Sequence, residues 1–522
     1  MDAFRKKLAA LNPEGAGRRP IFVAYDQLTD SSGPLARLPA RECAILLVES
    51  LSKPGRRPYH KQKLALVLAN QRHFALEQAA RGVHVRHVVA DSYAAAVRDT
   101  AAEWGPLAMM DPAERELRVE LAPLVEQGML VSEPHAGFLT TAQQFHAACP
   151  KPPYRMDRFY QHVRKATGWL MERGKPAGGK WSHDADNRQP WRGEPPAPDL
   201  PVFECDDVTR EVIDLVRARY AKHPGEVTAA SLPATHAQAE QLWAWAKKSC
   251  LAEFGPFEDA MSSRSSSLFH TRISGLLNLH RLTPRRVCED VLALDVPLAS
   301  KEGFIRQVLG WREFVAHVHR ATDGFRVGPG SDPHSKPSHL GARSALPAAY
   351  WGGAASGLTC LDTVVADVWR EAYSHHITRL MVLSNIASLL DVEPRALTDW
   401  FWVAYCDAYD WVVEPNVLAM GTYGTGELMT TKPYISGAGY IRKMSDYCRS
   451  CRFDPARNCP LTPLYWAYLE RHKGALSSNP RLFMPMNALA KRTASQKKAD
   501  AATFEEVTTT LARGEALVPP RR

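Results

Sequence analysis

In the first hundred residues the apolar positions come in short unbroken runs. Residues 19–28 (RPIFVAYDQL) and 43–50 (CAILLVES) are apolar at successive positions rather than alternate ones, the pattern of strands covered on both faces. From 62 to 82 (QKLALVLANQRHFALEQAARG) the spacing changes to three and four and closes on Gly82, and 83–90 (VHVRHVVA) reads as a strand again. Strand, helix, strand at this spacing predicts a doubly wound parallel α/β domain over residues 1–145. Ligands of such sheets sit beyond the carboxyl ends of the strands, which points at Asp26, Gln27 and Glu49. No G-x-G-x-x-G follows a strand, so the usual dinucleotide fingerprint is missing.

The pattern then changes. Residues 146–235 are irregular, polar and rich in Pro and Gly, a connector whose clearest periodic piece is a helix over 156–172 (MDRFYQHVRKATGWLME). From 236 to 490 helical spacing dominates, with segments at 236–254, 302–320, 360–390 and 394–413. A charged surface helix is expected in the remaining tail, 491–522. The fold class is therefore α/β followed by all-α.

Composition adds two constraints. An excess of 65 Lys and Arg over 56 Asp and Glu gives a net charge of +9, which suits a polyanionic partner as readily as plain solubility. No stretch has the apolar length of a membrane span or of a signal peptide, and the scattered cysteines do not form a disulfide framework. The expected setting is a reduced cytoplasm.

Three cysteines stand apart. Cys448, Cys451 and Cys459 crowd into YCRSCRFDPARNCP (447–460), where Cys-x-x-Cys brings two sulfurs to one centre and a four-ligand site asks for a fourth. Thiolates without an accompanying histidine suit either zinc or an iron–sulfur cluster, and spacing alone leaves both open.

Longer motifs carry a resemblance. GFIRQVLGWREF (303–314), AYSHHITRLMV (372–382), TKPYISGAGYI (431–441), the connector piece around MDRFYQHVRK and the C-x-x-C-R-F-D-P…C-P…LYW run resemble the photolyase/cryptochrome superfamily. The similarity is closest to its bacterial iron–sulfur branch, which includes prokaryotic (6-4) photolyases, and it extends over about residues 20–490. The resemblance implies an antenna domain, a helical FAD-binding domain and a [4Fe-4S] cluster whose distant ligand is Cys360, joined by Cys448, Cys451 and Cys459. The gap from Cys451 to Cys459 is shorter than in the family.

The resemblance further implies a flavin-phosphate segment at 262–284, with His270, Thr271, Ser274 and Asn278 facing the cofactor; crowded hydroxyls before a helix also suit phosphate, or simply a helix cap. Gln307, Trp311 and Arg312 fall near flavin and DNA, and Glu414 and Asn416 near the flavin ring. His375 and His376 line the lesion pocket, one of them transferring a proton, with Tyr434 beside them. On one continuous helix they would point about 100° apart, so only one could face a given cavity. Trp351 and Trp400 match electron-hopping positions. Lys61 and Arg188 would meet DNA or the flipped lesion, and Asp184 and Asp259 would hold a divalent cation such as Mg2+. Relatives carry Gly-Asp-Gln-Leu and bind 6,7-dimethyl-8-ribityllumazine as an antenna; here Tyr25 replaces the glycine before Asp26 and Gln27.

The expected function is light-driven repair of (6-4) lesions in UV-damaged DNA by a monomer. The alternatives are a cryptochrome, using the same photochemistry to signal, and a zinc-stapled DNA-binding protein.

Overall fold

In the computed structural model, which describes residues 2–519, the amino-terminal part is a five-stranded parallel sheet in the order β3–β2–β1–β4–β5. The strands are β1 (Arg19–Phe22), β2 (Cys43–Ser50), β3 (His84–Ala90), β4 (Leu107–Met110) and β5 (Leu130–Glu133). β2 is buried at every position, which explains its unbroken apolar run. β1 is shorter than predicted, because the chain leaves the sheet after Phe22. Val23–Leu28 becomes a buried loop against the helical part, where Leu28 N–H donates to Leu279 O at 2.9 Å. Strand order reverses at β1, so this loop lies at the topological switch point.

The connector is less separate than its composition suggests. The helix Met156–Thr167 ends five residues early because Gly168 takes a left-handed conformation (φ 73°), and the chain turns into a short hairpin, Met171–Glu172 against Lys175–Pro176. Asp207–Arg219 packs on Lys61–Ala80, and its Val208 shares a core with Ile21 and Phe74. The final helix, Ala494–Ala512, is docked rather than free, with Val507 and Leu511 buried and the Arg471 guanidinium 3.6 Å from the Phe504 ring.

The largest departure lies in the helix predicted over 360–390. It runs from Thr359 to Glu371 and stops where Ala372 adopts φ 50°, a costly conformation for a residue with a Cβ. His375 is extended (φ −77°, ψ 167°), and helix resumes at His376–Thr378. Wide π-helical turns follow at Arg379–Ser384, as they also do at Arg306–Arg312 and Glu414–Gly421. Such turns are rare and concentrate at functional sites. Among the described residues no helix is long and apolar enough to cross a membrane.

Candidate functional site

All three π-helical turns border one cavity of about 320 Å³ in the helical part. His270, Thr271, Ser274, Asn278, Gln307, Arg312 and Asn416 line it, together with Trp311, His375 and His376. Leu277, Val308, Val315, Phe401 and Trp411 supply apolar walls. Buried polar atoms here lack partners: Nε2 of His270, Nδ1 of His375, and Nε and Nη2 of Arg312. Apolar walls with a few convergent, unpaired polar atoms are the chemistry of a site for a large heteroaromatic ligand with polar arms.

Glu414 is a correction. It shares a π-helical turn with Asn416 but turns away from the cavity, 2.8 Å from both His319 Nε2 and Arg395 Nη1. Burial would raise its carboxyl, yet these partners hold it at about 2.

An ion pair that sequence reasoning missed closes the cavity. Arg379 donates to both carboxylate oxygens of Asp407 at 3.0 and 2.9 Å, Ser274 Oγ donates to the same carboxylate at 2.6 Å, and Asn278 Nδ2 donates to Asp407 O at 2.9 Å. Burial opposes the Asp407 charge, but the guanidinium outweighs it and holds the carboxyl below its usual range. Arg379 and Asp407 are 28 residues apart, and no local motif joins them.

Both histidines reach the cavity, contrary to the single-helix expectation, because the break at Ala372 frees His375 from helical geometry. His375 is buried and stacks on His270 with ring centroids 4.4 Å apart; burial pushes both imidazoles well below their ordinary value, so they are neutral. The His376 side chain is 42% exposed, with Nε2 3.4 Å from Asp259 Oδ1. Tyr440 OH donates to Asp259 Oδ2 at 3.2 Å. Arg188 joins this mouth, lying 3.7 Å from Asp259 and paired with Asp184. Half-buried Tyr434 lies within the field of Asp184 and Arg188. The guanidinium thus sits between the two carboxylates expected to share a cation, and these residues do not form a hard-cation cage. Lys61 is not brought to the mouth; its Nζ donates to Glu226 at 2.9 Å in the connector.

An aromatic chain leaves the cavity wall. Phe401, which lines the cavity, is 5.1 Å from Trp400; Trp400 is 6.1 Å from Trp369; and Trp369 is 6.0 Å from Trp351, which is 45% exposed. Trp369 was missed because it sits in an ordinary amphipathic pattern.

The three antenna candidates do not face one space. Glu49 is held by Arg72 at 2.6 Å and His87 at 3.1 Å, and Gln27 Nε2 donates to Met110 O at 3.2 Å. Tyr25 is buried between Tyr93 and Tyr409, at 5.7 and 6.2 Å, with its hydroxyl donating to Glu114. Asp26 is buried with Oδ1 unpartnered. These residues do not fit a lumazine, because Glu49 and Gln27 are engaged by protein partners and the Tyr25 ring is packed between Tyr93 and Tyr409.

Cys360, Cys448, Cys451 and Cys459 line one small apolar cavity, with Leu358, Ile441 and Phe453 among its walls. No three of their sulfurs lie within 4.8 Å of one another: among the described residues the only such group of His, Cys, Asp or Glu ligand atoms is His270–His375–His376. Tetrahedral zinc, with Zn–S of about 2.3 Å, would draw its sulfurs to about 3.8 Å. The four thiols are gathered at one place without the close approach of sulfurs that zinc imposes. The histidine trio does not suit a metal either, since the parallel His270 and His375 rings (11°) aim their in-plane lone pairs alongside rather than at one point.

A protein-family profile described as deoxyribodipyrimidine photo-lyase-related protein matches residues 21–232. A (6-4) photolyase of Agrobacterium fabrum is 32% identical over 485 residues, covering 89% of this chain and 94% of that protein. The chain belongs to the photolyase/cryptochrome family. Two solved structures share the fold of this family member: a bacterial class III photolyase from Agrobacterium tumefaciens (TM-score 0.54, 14% identity, 96% of this chain and 99% of that one) and the cryptochrome of Synechocystis sp. PCC6803 (TM-score 0.57, 12% identity, 96% and 100%).

Proposed function

We propose that this chain is a (6-4) photolyase that holds FAD in the cavity between its π-helical turns and repairs UV-damaged DNA under light. The observation that carries this reading is the His376–Asp259 pair at the open end of the cavity. A reduced flavin, when bound, supplies the light-driven electron. Arg312, Ser274, Asn278 and the Arg379–Asp407 pair would hold its polar arms, while Phe401, Trp411 and Val308 exclude water from its ring. His376 is placed to give a proton to a flipped lesion and recover it, and Asp259 orients the imidazole. Neutral His375 and His270 wall this proton off from the interior. Trp400, Trp369 and Trp351 form the electron route to solvent.

The same reading assigns Cys360, Cys448, Cys451 and Cys459 to a [4Fe-4S] cluster that staples the start of the helix Thr359–Glu371 to the carboxyl-terminal segment. An all-thiolate donor set gathered from two distant parts of the chain supports this reading. Residues 1–145 act as the α/β domain, 146–235 as connector and 236–490 as the catalytic body.

The test is illumination of the reduced holoprotein with a duplex carrying one defined (6-4) photoproduct, scoring restored pyrimidines, with iron and zinc measured on the same sample. Light-dependent repair that is lost in His376→Ala with flavin still bound is the expected result. A photoreducible flavin without repair would overturn the enzyme reading in favour of a signalling cryptochrome.

A further inference from the structure

A basic pocket of about 470 Å³ opens beside the cysteine loop, lined by Arg192, Arg442, Arg449 and Arg452 together with Cys448 and Cys451. All four arginines are exposed. Among the described residues none of them forms an ion pair. Elsewhere on the surface arginine is commonly matched by carboxylate, as in Arg37–Glu133, Arg286–Glu240 and Arg320–Asp111. One carboxylate, Asp454, also lines the pocket; it accepts from Ala456 N–H at 2.7 Å and lies 3.9 Å from Arg457. Nearby Asp446 is committed to Ser262, Ser263 and Arg264. Four like charges gathered around a single carboxylate repel one another, and the fold keeps them together on short, anchored elements. Arg449 ends the turn Tyr447–Arg449, Arg442 lies on the helix Ala438–Met444, and Arg192 Nη2 donates to Lys443 O at 3.4 Å.

The pocket is continuous with the candidate lesion mouth. The helix that carries Arg442 also carries Tyr440, which donates to Asp259 beside His376. Arg192 lies four residues beyond Arg188, on the loop that reaches Asp184 and Asp259. A run of arginines therefore leads from Arg188, which is paired at the mouth, through Arg192 and Arg442 to the unpaired Arg449 and Arg452.

We propose that this arginine pocket is a second nucleic-acid contact, gripping the phosphate backbone that flanks the damaged site. It rests on the DNA-repair reading above. Guanidinium forks match phosphate oxygens, and such contacts fix the register of a duplex without reading its bases. The pocket would therefore add affinity for damaged and undamaged DNA alike, and it would lay the backbone against the loop that carries Cys448 and Cys451.

The experiment uses the holoprotein with two fluorescent duplexes identical except for one (6-4) photoproduct, measured by anisotropy between about 50 and 200 mM NaCl. The triple variant Arg442→Gln, Arg449→Gln, Arg452→Gln is expected to weaken both duplexes by the same factor. It should also flatten the dependence of log Kd on log salt by about 0.9 for each phosphate no longer neutralised. Because the loop could be disturbed by three substitutions, the matching Arg→Lys triple is measured alongside; return of most of the salt slope with lysine supports the pocket. Unchanged Kd and slope for both duplexes would overturn it, as would weakening confined to the damaged duplex or failure of lysine to restore the slope. Repair by the parent protein with unchanged binding in the Gln triple removes the pocket and leaves the enzyme. Salt-dependent binding lost in that triple, in a parent that does not repair, removes the enzyme and leaves the pocket.

Discussion

Replacing Asp26 by Asn should stabilise this protein above neutral pH and do progressively less as the pH falls. Asp26 follows β1 at the strand-order reversal, 2% exposed, with Oδ1 unpartnered. Burial, and then the like charge of Glu114, push its carboxyl from 3.8 to about 7, although Lys53 pulls the other way. A carboxyl raised in the folded state binds its proton more tightly there than in the unfolded chain. Its contribution is thus fully present below about pH 4 and is lost as pH climbs through the folded value. The loss amounts to about 4 kcal/mol above pH 7, at roughly 1.4 kcal/mol per pH unit. Asparagine keeps the shape and carries no charge to bury, but its amide N–H is left unpaired at a pH-independent cost of about 1–3 kcal/mol. The informative quantity is therefore the change in the stability difference between about pH 5 and about pH 8, which cancels that cost and should come to about 3 kcal/mol in favour of Asn. Calorimetry of parent and variant across the range reads it directly. A stability difference that stays constant with pH would show that Asp26 is not a buried, neutral-leaning carboxyl, and the reasoning would fail.

Asp407→Asn strips the counter-charge from Arg379 inside the cavity wall. Because Arg379 keeps 22% of its side-chain surface exposed, the low end of the usual 3–5 kcal/mol applies, about 3 kcal/mol. The expected readout is flavin release at a clearly lower temperature; release at the parent temperature would count against a structural pair. Trp369→Phe removes the middle of the Trp400–Trp369–Trp351 chain, so light-driven reduction of bound flavin should slow at least about tenfold, equivalent to about 1.4 kcal/mol of barrier, with flavin content preserved. An unchanged photoreduction rate would route the electron elsewhere.

How much was legible in the sequence differs from residue to residue. The parallel sheet was, because β2 is covered on both faces and its burial is written as eight consecutive core positions. The four cysteines were named together because the resemblance supplied Cys360, which lies 88 residues before Cys448; spacing alone showed three. Glu414 was misjudged because it and Asn416 were taken together from one motif, although side chains two apart on a helical turn face different ways, here Asn416 to the cavity and Glu414 to His319 and Arg395. Lys61 was read from a short motif, and its partner Glu226 lies 165 residues along the chain, where no local pattern announces it.

By itself the sequence determined the succession of layers, the crowding of three cysteines into one loop and the family, since each is carried by local periodicity or by a run of neighbouring residues. Tertiary structure alone decided which of those residues meet. The left-handed turn at Ala372 brought both histidines to one cavity, long-range packing paired Arg379 with Asp407, and the fold of the connector set Arg192 beside Arg442. Contacts of this kind depend on backbone geometry and on partners distant along the chain, and neither leaves a periodic trace in the order of amino acids.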